Sequence, residues 1–528
     1  MEIKTFAAID VGSFEVDMKI FELGGIKEDS RTKKGTGAGS HIRQIDHLRQ
    51  RIALGSDTYT SGKISTEKLD ELCRTLREYG QIMKAYKVDD YKIYGTSALR
   101  ESENALIILD QIRQRTGMSI ELLSNSEQRF LGYKSIASKG EVFRRVIEEN
   151  TAIVDIGGGS IQISLFENDA LAVTSNLRLG VLRVQERLNS MNVGSSQREA
   201  LVDELVMAQL STFKKLYLKD RTIKNVIIMD DYLSPWAIRK AGNDAEKSVV
   251  QLAEYEKLLE KLRVLTVMQA AQMMDVQEEK VPLIFISAVL LHRICELMGA
   301  EKIWAPGVSL GDGMAYEYAE KKKLFSGEHD FEKDILACAA NISKKYMGSR
   351  KRGETLDHIA TTIFDSMKKV HGLGKRERLY LRLAALLHDC GKFISLVNIG
   401  ETSYDIIMAT EIIGLSHRER EIIANVVRFN HSSFLYYGEL QGKGSGLDQN
   451  AYLTVAKLTA ILRVANSLDR SHKQKLKGVK AVLKENQLIL QVDTLEDLAL
   501  EKGYLKKSGS FFEEVFSVEP LIRQRKQI

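Results

Sequence analysis

Two glycine-containing turns draw attention first, because each directly follows an aspartate at the end of an apolar segment. The first turn, DVGS at residues 10–13, lies within TFAAIDVGSFEVDMKIFEL. The second, DIGGGS at residues 155–160, lies within TAIVDIGGGSIQISLF. Glycine turns allow backbone N–H groups to approach a phosphate closely, because no side chain stands in the way. The alternative is a plain hairpin, in which Asp and Gly are simply good turn residues. Two related turns in one chain favour phosphate binding.

A second candidate set lies in the C-terminal half, where histidines and an aspartate fall on predicted helices. His358 belongs to the amphipathic segment ETLDHIATTIFDSMKKV, and His388-Asp389 ends the strongly apolar part of LYLRLAALLHDCGKFIS. Imidazole and carboxylate groups bind divalent transition metals, and a bound metal can activate water. A lone histidine on an apolar helix is usually a satisfied core residue. The neighbouring aspartate and the upstream histidine favour a metal site between antiparallel helices.

The elements around the glycine turns predict a repeated α/β architecture. Each turn lies between two strand-like segments, and the two copies are about 145 residues apart. STEKLDELCRTLREYGQIMKAY (65–86) has helical spacing behind a capping sequence, and DYKIYGTSALRE (90–101) predicts a strand, a turn and a helix. NVIIMDD (225–231) predicts a further strand. We therefore expect a duplicated α/β lobe with a cleft between the two copies.

The C-terminal part has a different pattern. Charge rises over residues 320–334, a candidate linker, and the pattern is almost entirely helical from there to about residue 472. GVKAVLKENQLILQVDT (478–494) alternates around a central Glu-Asn pair and predicts a hairpin. The basic tail IRQRKQI is predicted to be a solvated chain end.

The bulk composition excludes several classes of protein. The 528 residues are too many for one core, so we expect two to four domains. A net charge of +5 does not indicate a specific nucleic-acid partner at this length. The four cysteines are widely spaced, which predicts reduced thiols in a cytoplasmic protein. The N-terminal segment lacks the features of a signal peptide, and we find no run of about 18 apolar residues, so no membrane span is predicted.

Four segments occur in an order and at spacings that are similar to those of the exopolyphosphatase/guanosine pentaphosphate phosphohydrolase (Ppx/GppA) family: AAIDVGS, YGTSALRESEN, IELLSNSEQR and IVDIGGGS. The resemblance covers about residues 5–320. It implies an actin/sugar-kinase/Hsp70-like α/β fold of two lobes, each built on a ribonuclease-H-like sheet, over residues 1–125 and 126–322. It also implies a cytoplasmic enzyme that cleaves terminal phosphates from polyphosphate or pppGpp, usually with Mg²⁺, and often as a homodimer.

The resemblance assigns roles to individual residues. The implied phosphate-binding residues are Asp10, Gly12, Ser13, Gly157, Gly158, Gly159 and Ser160. The implied catalytic residues are Arg100, Glu127, Gln128 and Asp155, with Mg²⁺ near Asp155. An arginine at position 100 suits this role because its planar fork can hold two phosphate oxygens, although an ion pair with Glu101 is the structural alternative.

The sequence departs from the family pattern at four places. Gln128 stands where the family has its usual catalytic glutamate, and Gln162 stands where a glutamate follows the glycines. DDYLSPW (230–236) replaces a glycine-rich loop, and Leu310-Gly311-Asp312-Gly313 lacks the family's arginine. An amide cannot take a proton at neutral pH, although it can orient a water. A slow enzyme, an altered mechanism using Glu127 or Asp312, and a non-catalytic polyanion sensor are all compatible with these changes.

The helical half resembles the HD superfamily of metal-dependent phosphohydrolases, so we expect an all-α HD-like domain over residues 330–475 and a small β-containing α/β extension over 476–528. The implied ligands of a divalent transition metal are His358, His388 and Asp389. The fourth ligand position is Asn466, and Asp469, one helical turn later, is the carboxylate that could complete the site. Hydrolysis at this metal site is therefore a third functional hypothesis, and a metal-free helical bundle is its structural alternative.

Overall fold

The computed structural model describes residues 3–24, 42–167, 170–191, 195–324, 329–442, 444–476 and 478–525. Most of the predicted polar, glycine-rich stretch at residues 33–44 lies outside these ranges. The chain forms two compact units, Met1–Asp330 and Phe331–Ile528.

The first unit contains two mixed sheets and their covering helices. Its strands are β1 (Lys4–Val11), β2 (Glu15–Leu23), β3 (Ile42–Arg51), β4 (Asp90–Gly95), β5 (Glu121–Leu122), β6 (Thr151–Ile156), β7 (Ile161–Glu167), β8 (Ala170–Leu177), β9 (Asn225–Met229), β10 (Val249–Gln251) and β11 (Lys302–Trp304). Its α-helices are α1 (Leu54–Ser61), α2 (Thr66–Ala85), α3 (Ser97–Glu101), α4 (Ala105–Thr116), α5 (Asn125–Ala137), α6 (Glu141–Ile147), α7 (Val181–Ser190), α8 (Ser195–Phe213), α9 (Ser234–Lys240), α10 (Leu252–Val264), α11 (Val267–Met274), α12 (Val281–Met298) and α13 (Leu310–Lys321).

The two sheets share one strand order, which confirms the predicted duplication. The first sheet runs β3-β2-β1-β4-β5, with β1 antiparallel to β2 and parallel to β4. The second runs β10-β11-β9-β6-β7-β8, with β6 antiparallel to β7 and parallel to β9. Each sheet therefore begins with a hairpin that carries a glycine turn, as expected for two ribonuclease-H-like lobes.

The first sheet is covered by helices on both faces, which explains the continuous apolar run in β1. Phe6 to Ile9 are all buried. One face packs against α2 and α4, and the other packs against α5 and α13 through side chains such as Leu131 and Met314. A strand buried on both faces needs no polar alternation. Helices α5 and α13, which we had predicted within the second lobe, thus belong to the packing of the first sheet.

One helix of the described part of the chain is long and apolar enough to cross a membrane. The segment Glu278–Met298 passes this test by length and composition, although 67% of its most apolar window is buried inside the first unit. It contains α12, which packs in the core of the second sheet. This degree of burial is typical of a helix in the core of a globular unit. The four cysteines are free and buried, in agreement with the prediction of reduced thiols.

The second unit is mainly helical and ends in a small sheet. Its α-helices are α14 (Phe331–Lys345), α15 (Arg350–Ser366), α16 (Lys368–His371), α17 (Lys375–Leu387), α18 (Ile399–Ala409), α19 (His417–His431), α20 (Tyr437–Gly442), α21 (Gln449–Leu468) and α22 (Ala499–Phe516). Its strands are β12 (Val479–Lys484), β13 (Gln487–Asp493) and β14 (Glu519–Arg525). Because α22 packs along α21, residues beyond 476 form part of the same compact unit as the helices.

The small sheet confirms one prediction and corrects another. β12 and β13 form the predicted antiparallel hairpin, with Lys484 opposite Gln487 around the Glu-Asn turn. The predicted solvated tail is wrong for its first residues, because β14 pairs in parallel with β13 over Glu519–Arg525. The two arginines at the end of this strand, Arg523 and Arg525, resembled a charged chain end, and only the pairing with β13 distinguishes the two.

Candidate active site

A cavity of about 140 Å³ lies in the first unit where the two glycine turns face each other. Both turns contribute to its wall, together with the ends of β1, β6 and β9. The residues that line it include Asp10, Gly12, Ser13, Glu15, Asp17, Arg49, Ser97, Gln128, Asp155, Gly157, Gly158, Gly159, Ser160, Asp230, Asp231, Tyr232 and Lys280. All seven predicted phosphate-binding residues, together with Gln128 and Asp155, thus lie around one cavity.

The two turns are built in the same way. In the first, the N–H of Gly12 donates to the carbonyl of Glu15 at 3.0 Å, and in the second the N–H of Gly157 donates to the carbonyl of Ser160 at 3.0 Å. Asp10 pairs with Asp17 across β1 and β2, whereas Asp155 pairs with Gln162 across β6 and β7. Asp10 and Asp155 therefore occupy equivalent positions on opposite sides of the cavity.

The two lobes lie close together at Gly159. The hydroxyl groups of Ser13, Tyr59 and Ser97 form a hydrogen-bonded triangle with O–O distances of 2.7–2.9 Å. A Cβ atom at position 159 would lie 2.2 Å from the Tyr59 hydroxyl oxygen. Only glycine permits this approach, which explains the third residue of the GGG sequence. Sequence reasoning did not single out Tyr59 or Ser97.

Arg183 holds the second turn through a hydrogen bond to its backbone, and the sequence analysis did not identify this residue either. Its Nε donates to the carbonyl of Gly159 at 2.8 Å, and its Nη2 donates to Glu101 at 2.6 Å. The guanidinium carbon lies 4.2 Å from the centre of the Tyr59 ring. The Arg183–Glu101 ion pair thus joins the two lobes beside the phosphate turns. Its position three residues after Gly180, at the start of α7, is the sequence signal that could have identified it.

Burial raises the pKa of three carboxyl groups around the cavity. The pKa of Asp155 rises to about 7, because burial and the negative charge of Asp231 outweigh the opposing effect of Arg129. Burial and the neighbouring Asp17 raise the pKa of Asp10 well above its usual value. Burial also raises the pKa of Asp230. Clustered carboxyl groups whose charged forms are destabilised are suited to binding a cation.

Several buried oxygens around the cavity have no hydrogen-bond partner within the described part of the chain. They are Oδ1 of Asp10, Oε1 of Gln128, Oε1 of Gln162 and Oδ1 of Asn176. Gln162 is 2% exposed and pairs across the sheet with both Asp155 and Asn176. Carboxylate and amide oxygens are ligands that Mg²⁺ accepts, so this donor set fits the metal implied by the resemblance.

No group of three or more His, Cys, Asp or Glu side chains is placed to hold a metal ion within the described ranges. This does not argue against Mg²⁺ in the cleft, because Mg²⁺ is usually bound by one or two carboxylates together with waters and substrate phosphates.

The structure distinguishes Gln128 from Glu127, the two residues that the sequence offered for positioning the attacking water. Gln128 lines the cavity. Glu127 instead forms a capping box at the start of α5, in which its carboxylate accepts from the Ser124 N–H at 2.9 Å and its own N–H donates to Ser124 Oγ at 3.2 Å. We therefore correct the assignment of Glu127, since its carboxylate satisfies a helix end.

Arg100 does not line the cavity. Its guanidinium donates to the carbonyl of Leu123 at 2.5 Å and to the side chain of Asn125. These contacts hold α3 to the start of α5 within the first lobe. A phosphate contact by Arg100 would require another side-chain conformation, so this role stays a prediction.

The loop that replaces the family's glycine-rich segment puts carboxylates into the cleft. Asp230 accepts from the N–H groups of Leu233 and Ser234 at 2.9 and 2.7 Å and so caps α9. Asp231 pairs with Arg49 of the first lobe at 3.3 Å. Two acids at the end of β9 therefore replace glycines that would leave that side of the cleft open.

The segment that lacks the family's arginine packs against the first sheet. A Cβ atom at Gly311 would lie 3.4 Å from Cδ of Lys19, so a long side chain there would compete with Lys19 for space. Lys19 Nζ lies 2.7 Å from Asp312, and Asp312 also caps α13 by accepting from the Ser309 N–H. Asp312 does not line the cavity, and its Oδ2 already accepts from Lys19 and Ser309, so its use in an altered mechanism stays a prediction.

The predicted metal site of the second unit is not assembled. His388, Asp389 and Asp469 are buried, whereas His358 is exposed on α15. The residue of α15 that reaches the buried acids is Arg352, six positions earlier. Six residues rotate the side chain by about 240° around a helix axis, so His358 and Arg352 face different sides. The helical pattern had indicated a histidine on an amphipathic helix, but not which face it would occupy.

Comparisons with known proteins agree with the geometry. A model described as the Ppx/GppA phosphatase family matches residues 33–322, and one described as Ppx/GppA phosphatase, domain III, matches residues 336–509. A guanosine-5'-triphosphate,3'-diphosphate pyrophosphatase of Aeromonas hydrophila is 21% identical over 87% of this chain and 86% of the relative. Exopolyphosphatase 1 of Mycobacterium tuberculosis is 24% identical over 33% of this chain and 49% of the relative.

Solved structures of similar proteins include a Ppx/GppA family member of Aquifex aeolicus. That structure is 17% identical, covers 61% of this chain and 99% of the other, and aligns with a TM-score of 0.49. An exopolyphosphatase of Cytophaga hutchinsonii is 18% identical, covers 61% of this chain and 100% of the other, and aligns with a TM-score of 0.47.

Proposed function

Because the chain belongs to the Ppx/GppA phosphatase family, we propose that it is a cytoplasmic phosphohydrolase that releases the terminal phosphate of inorganic polyphosphate or a guanosine polyphosphate. The observation that carries this proposal is the pair of matched glycine turns, each with its aspartate, around one cavity. A guanosine polyphosphate is the first substrate to test, since the pyrophosphatase relative matches most of this chain.

The glycine turns would hold the terminal phosphates. Gly158 and Gly159 line the cavity, and in the part of the chain that the structure describes their N–H groups donate to no protein acceptor. Ser13 and Ser160 add hydroxyl groups on the two sides. Backbone donors of this kind bind phosphate oxygens without a long side chain. Arg49 and Lys280 supply positive charge at the wall, where Asp231 and Glu15 neutralise them before substrate enters.

Asp10 and Asp155 would hold Mg²⁺, with the amide oxygens of Gln128 and Gln162 near it. When bound, the metal supplies positive charge that stabilises the phosphate oxygens as the anhydride bond breaks. The unpartnered oxygens of Asp10, Gln128 and Gln162 support this arrangement, because buried acceptors without donors are costly unless a cation or water satisfies them.

Gln128 would position the attacking water. Its amide oxygen can accept a hydrogen bond from the water, but it cannot remove the proton. Phosphoryl transfer proceeds largely through positioning and electrostatic stabilisation, so an enzyme without a strong base can still turn over. We expect a slower reaction than that of relatives with a glutamate at this position, by about 10²–10⁴-fold.

A non-catalytic sensor of polyphosphate or pppGpp is the second candidate, and the amides at positions 128 and 162, where the family has carboxylates, favour it. For either candidate, the cavity of about 140 Å³ is smaller than the roughly 300 Å³ or more of typical small-molecule pockets. Cross-lobe pairs such as Arg183–Glu101 keep it closed, so a nucleotide requires the lobes to separate.

Phosphate release from purified full-length protein distinguishes the two candidates. The protein is given pppGpp or polyphosphate with and without Mg²⁺, and free phosphate is followed over time. We expect Mg²⁺-dependent release that falls at least tenfold in Gln128→Ala. The matched control is Glu127→Ala on the same helix, which should lose about 1 kcal/mol of stability through the lost cap but change the rate less than threefold.

The opposite result in the two variants would overturn the assignment of Gln128. Tight substrate binding with no release in any divalent metal would leave the sensor as the function. Light scattering in the same preparation tests the homodimer that the family resemblance implies.

A further inference from the structure

A buried cluster of charged residues lies at the centre of the second unit. Arg352, Asp389 and Asp469 are each at least 94% buried, and they come from three different elements. Arg352 Nη1 lies 3.9 Å from Asp389 Oδ2, and its Nε lies 3.8 Å from Asp469 Oδ2. Its Nη2 donates to Asn466 Oδ1 at 2.7 Å. One guanidinium thus lies between both acids and the amide.

The remaining groups of the cluster complete its charge balance. Lys392 Nζ lies 3.4 Å from Asp389, so two cations face two carboxylates. His388 is fully buried, and its Nδ1 faces the Ala385 carbonyl at 2.8 Å. An Nδ1–H that donates to a carbonyl leaves the lone pair on Nε2, which has no hydrogen-bond partner and lies 3.7 Å from Asp389.

We propose that the guanidinium of Arg352 supplies, as a permanent part of the chain, the positive charge that a metal ion would otherwise provide between Asp389 and Asp469. The second unit then binds no metal and contains no hydrolytic site. This inference is independent of the activity proposed for the first unit.

The geometry makes Arg352 and a metal ion mutually exclusive. A metal bound by His388, Asp389 and Asp469 would lie among the same carboxylate oxygens that lie within 4 Å of the guanidinium. An arginine keeps its charge in a protein, so a dication next to it would meet strong repulsion in a poorly screened interior. His358, one of the three ligands that the resemblance implied, is exposed and does not reach the cluster.

Metal analysis of the full-length protein tests the first half of the proposal. The Asp155→Asn background weakens metal binding in the cleft, so that bound metal reports on the second unit. The protein is dialysed against Mn²⁺ or Zn²⁺, then against metal-free buffer, and its metal content is measured. We expect less than 0.1 metal per chain, roughly the level of carry-over. About one metal per chain that disappears in Asp155→Asn/Asp389→Asn would overturn the proposal.

Removal of the arginine tests the second half. In Arg352→Met, the two acids lose their main counter-charge, so the melting temperature should fall by at least about 6 °C. The same variant should bind Mn²⁺ or Zn²⁺, and the bound metal should restore part of the lost melting temperature. Addition of Asp389→Asn should abolish both the metal binding and the recovered stability.

Arg463→Met is the matched control. Arg463 is also partly buried, but its guanidinium donates to the carbonyls of Phe429 and Ser432 rather than to carboxylates. Its replacement should lower stability without creating metal binding. If Arg352→Met does not fold, Arg352→Gln replaces it. Metal uptake by Arg463→Met, or no uptake by any folded Arg352 variant, contradicts the proposal.

Discussion

The two units each bury a pair of aspartates, but they neutralise them in different ways. In the first unit, Asp10 and Asp155 face a cavity and lie among oxygens that have no donor. In the second unit, Asp389 and Asp469 each have a carboxylate oxygen within 4 Å of the guanidinium of Arg352, although Asp389 Oδ1 has no hydrogen-bond partner among the described residues. Buried carboxylates are therefore a functional signal only where the structure leaves their counter-charge to be supplied from outside. This difference can be tested by changing one acid, one amide or one arginine at a time.

The largest expected effect comes from removing one acid in each unit. Asp155→Asn should lower kcat/KM for phosphate release by about 10³-fold, because it removes a carboxylate that we propose would hold Mg²⁺. Asp389→Asn should change the same value less than twofold at a temperature where the variant is folded. Steady-state kinetics with each substrate checks both. Equal losses of kcat/KM in the two variants would indicate that both units take part in catalysis and would contradict the proposed difference between them.

A gain of activity is expected when a carboxylate is restored in the cleft. Gln162→Glu adds a negative charge opposite Asp155 on the neighbouring strand, which should strengthen Mg²⁺ binding and raise the rate about tenfold at saturating Mg²⁺. Without Mg²⁺, the like charges should lower the melting temperature. Asn176→Asp, one strand further in the same row, serves as the control for added charge. A Mg²⁺ requirement that does not change in Gln162→Glu would remove Gln162 from the metal site.

An effect of similar size, but on KM rather than on the rate, is expected from Arg183, which holds the second turn. Arg183→Met should raise KM about tenfold, since the Gly159 carbonyl and Glu101 lose their common partner and the turn is less firmly held. Arg178→Met should change KM less than twofold, because Arg178 reaches Glu101 only at 3.3 Å and its side chain is 71% exposed. A comparison of KM and kcat for the two variants is the measurement. Equal KM values in the two variants would show that the ion pair with Glu101, rather than the contact with the turn, determines substrate binding.

The smallest effect is an opposite response of the two units to acid in Mg²⁺-free buffer. The pKa of Asp155 is raised to about 7 from an ordinary value of 3.8, so its buried charge destabilises the fold above pH 7. Protonation between about pH 7 and 4 relieves that cost, and the first unit should become more stable.

In the second unit, burial lowers the pKa of His371 below 6.5 and that of His431 to about 4. The unfolded chain binds protons that these buried histidines do not, so stability is lost as pH falls below about 6.5. Hydrogen exchange of each unit at pH 7.5 and 5.0 checks this. A response of the same sign in both units would contradict it.

The sequence predicted those parts of the site that depend on local order along the chain. Asp10 to Ser13 and Asp155 to Ser160 were identified because a strand, a turn and a strand follow one another directly. The start of α2 at Thr66 and the end of α17 just before His388 were also predicted, since capping residues and apolar periodicity act within a few positions.

Residues that join distant segments were not predicted. Tyr59, Ser97 and Arg183 meet at Gly159 although they lie on three separate elements, and nothing in their local sequence indicates this contact. Glu127 and Gln128 are neighbours on one helix, yet only one of them lines the cavity. The direction of a side chain depends on the face that a helix buries, and packing decides that face.

By itself, the sequence determined that this chain has two α/β lobes with matched glycine turns and a helical second half, because strand, turn and helix signals act over short distances. Only the tertiary structure decided which carboxylates have a counter-charge. Arg352 and Asp389 lie on separate segments of the chain. The positive charge of Arg352 can balance the carboxylate of Asp389 only after folding brings the two groups within 4 Å. In the first unit, folding leaves Asp155 facing a cavity instead. The first unit, rather than the second, is therefore the place to look for catalysis.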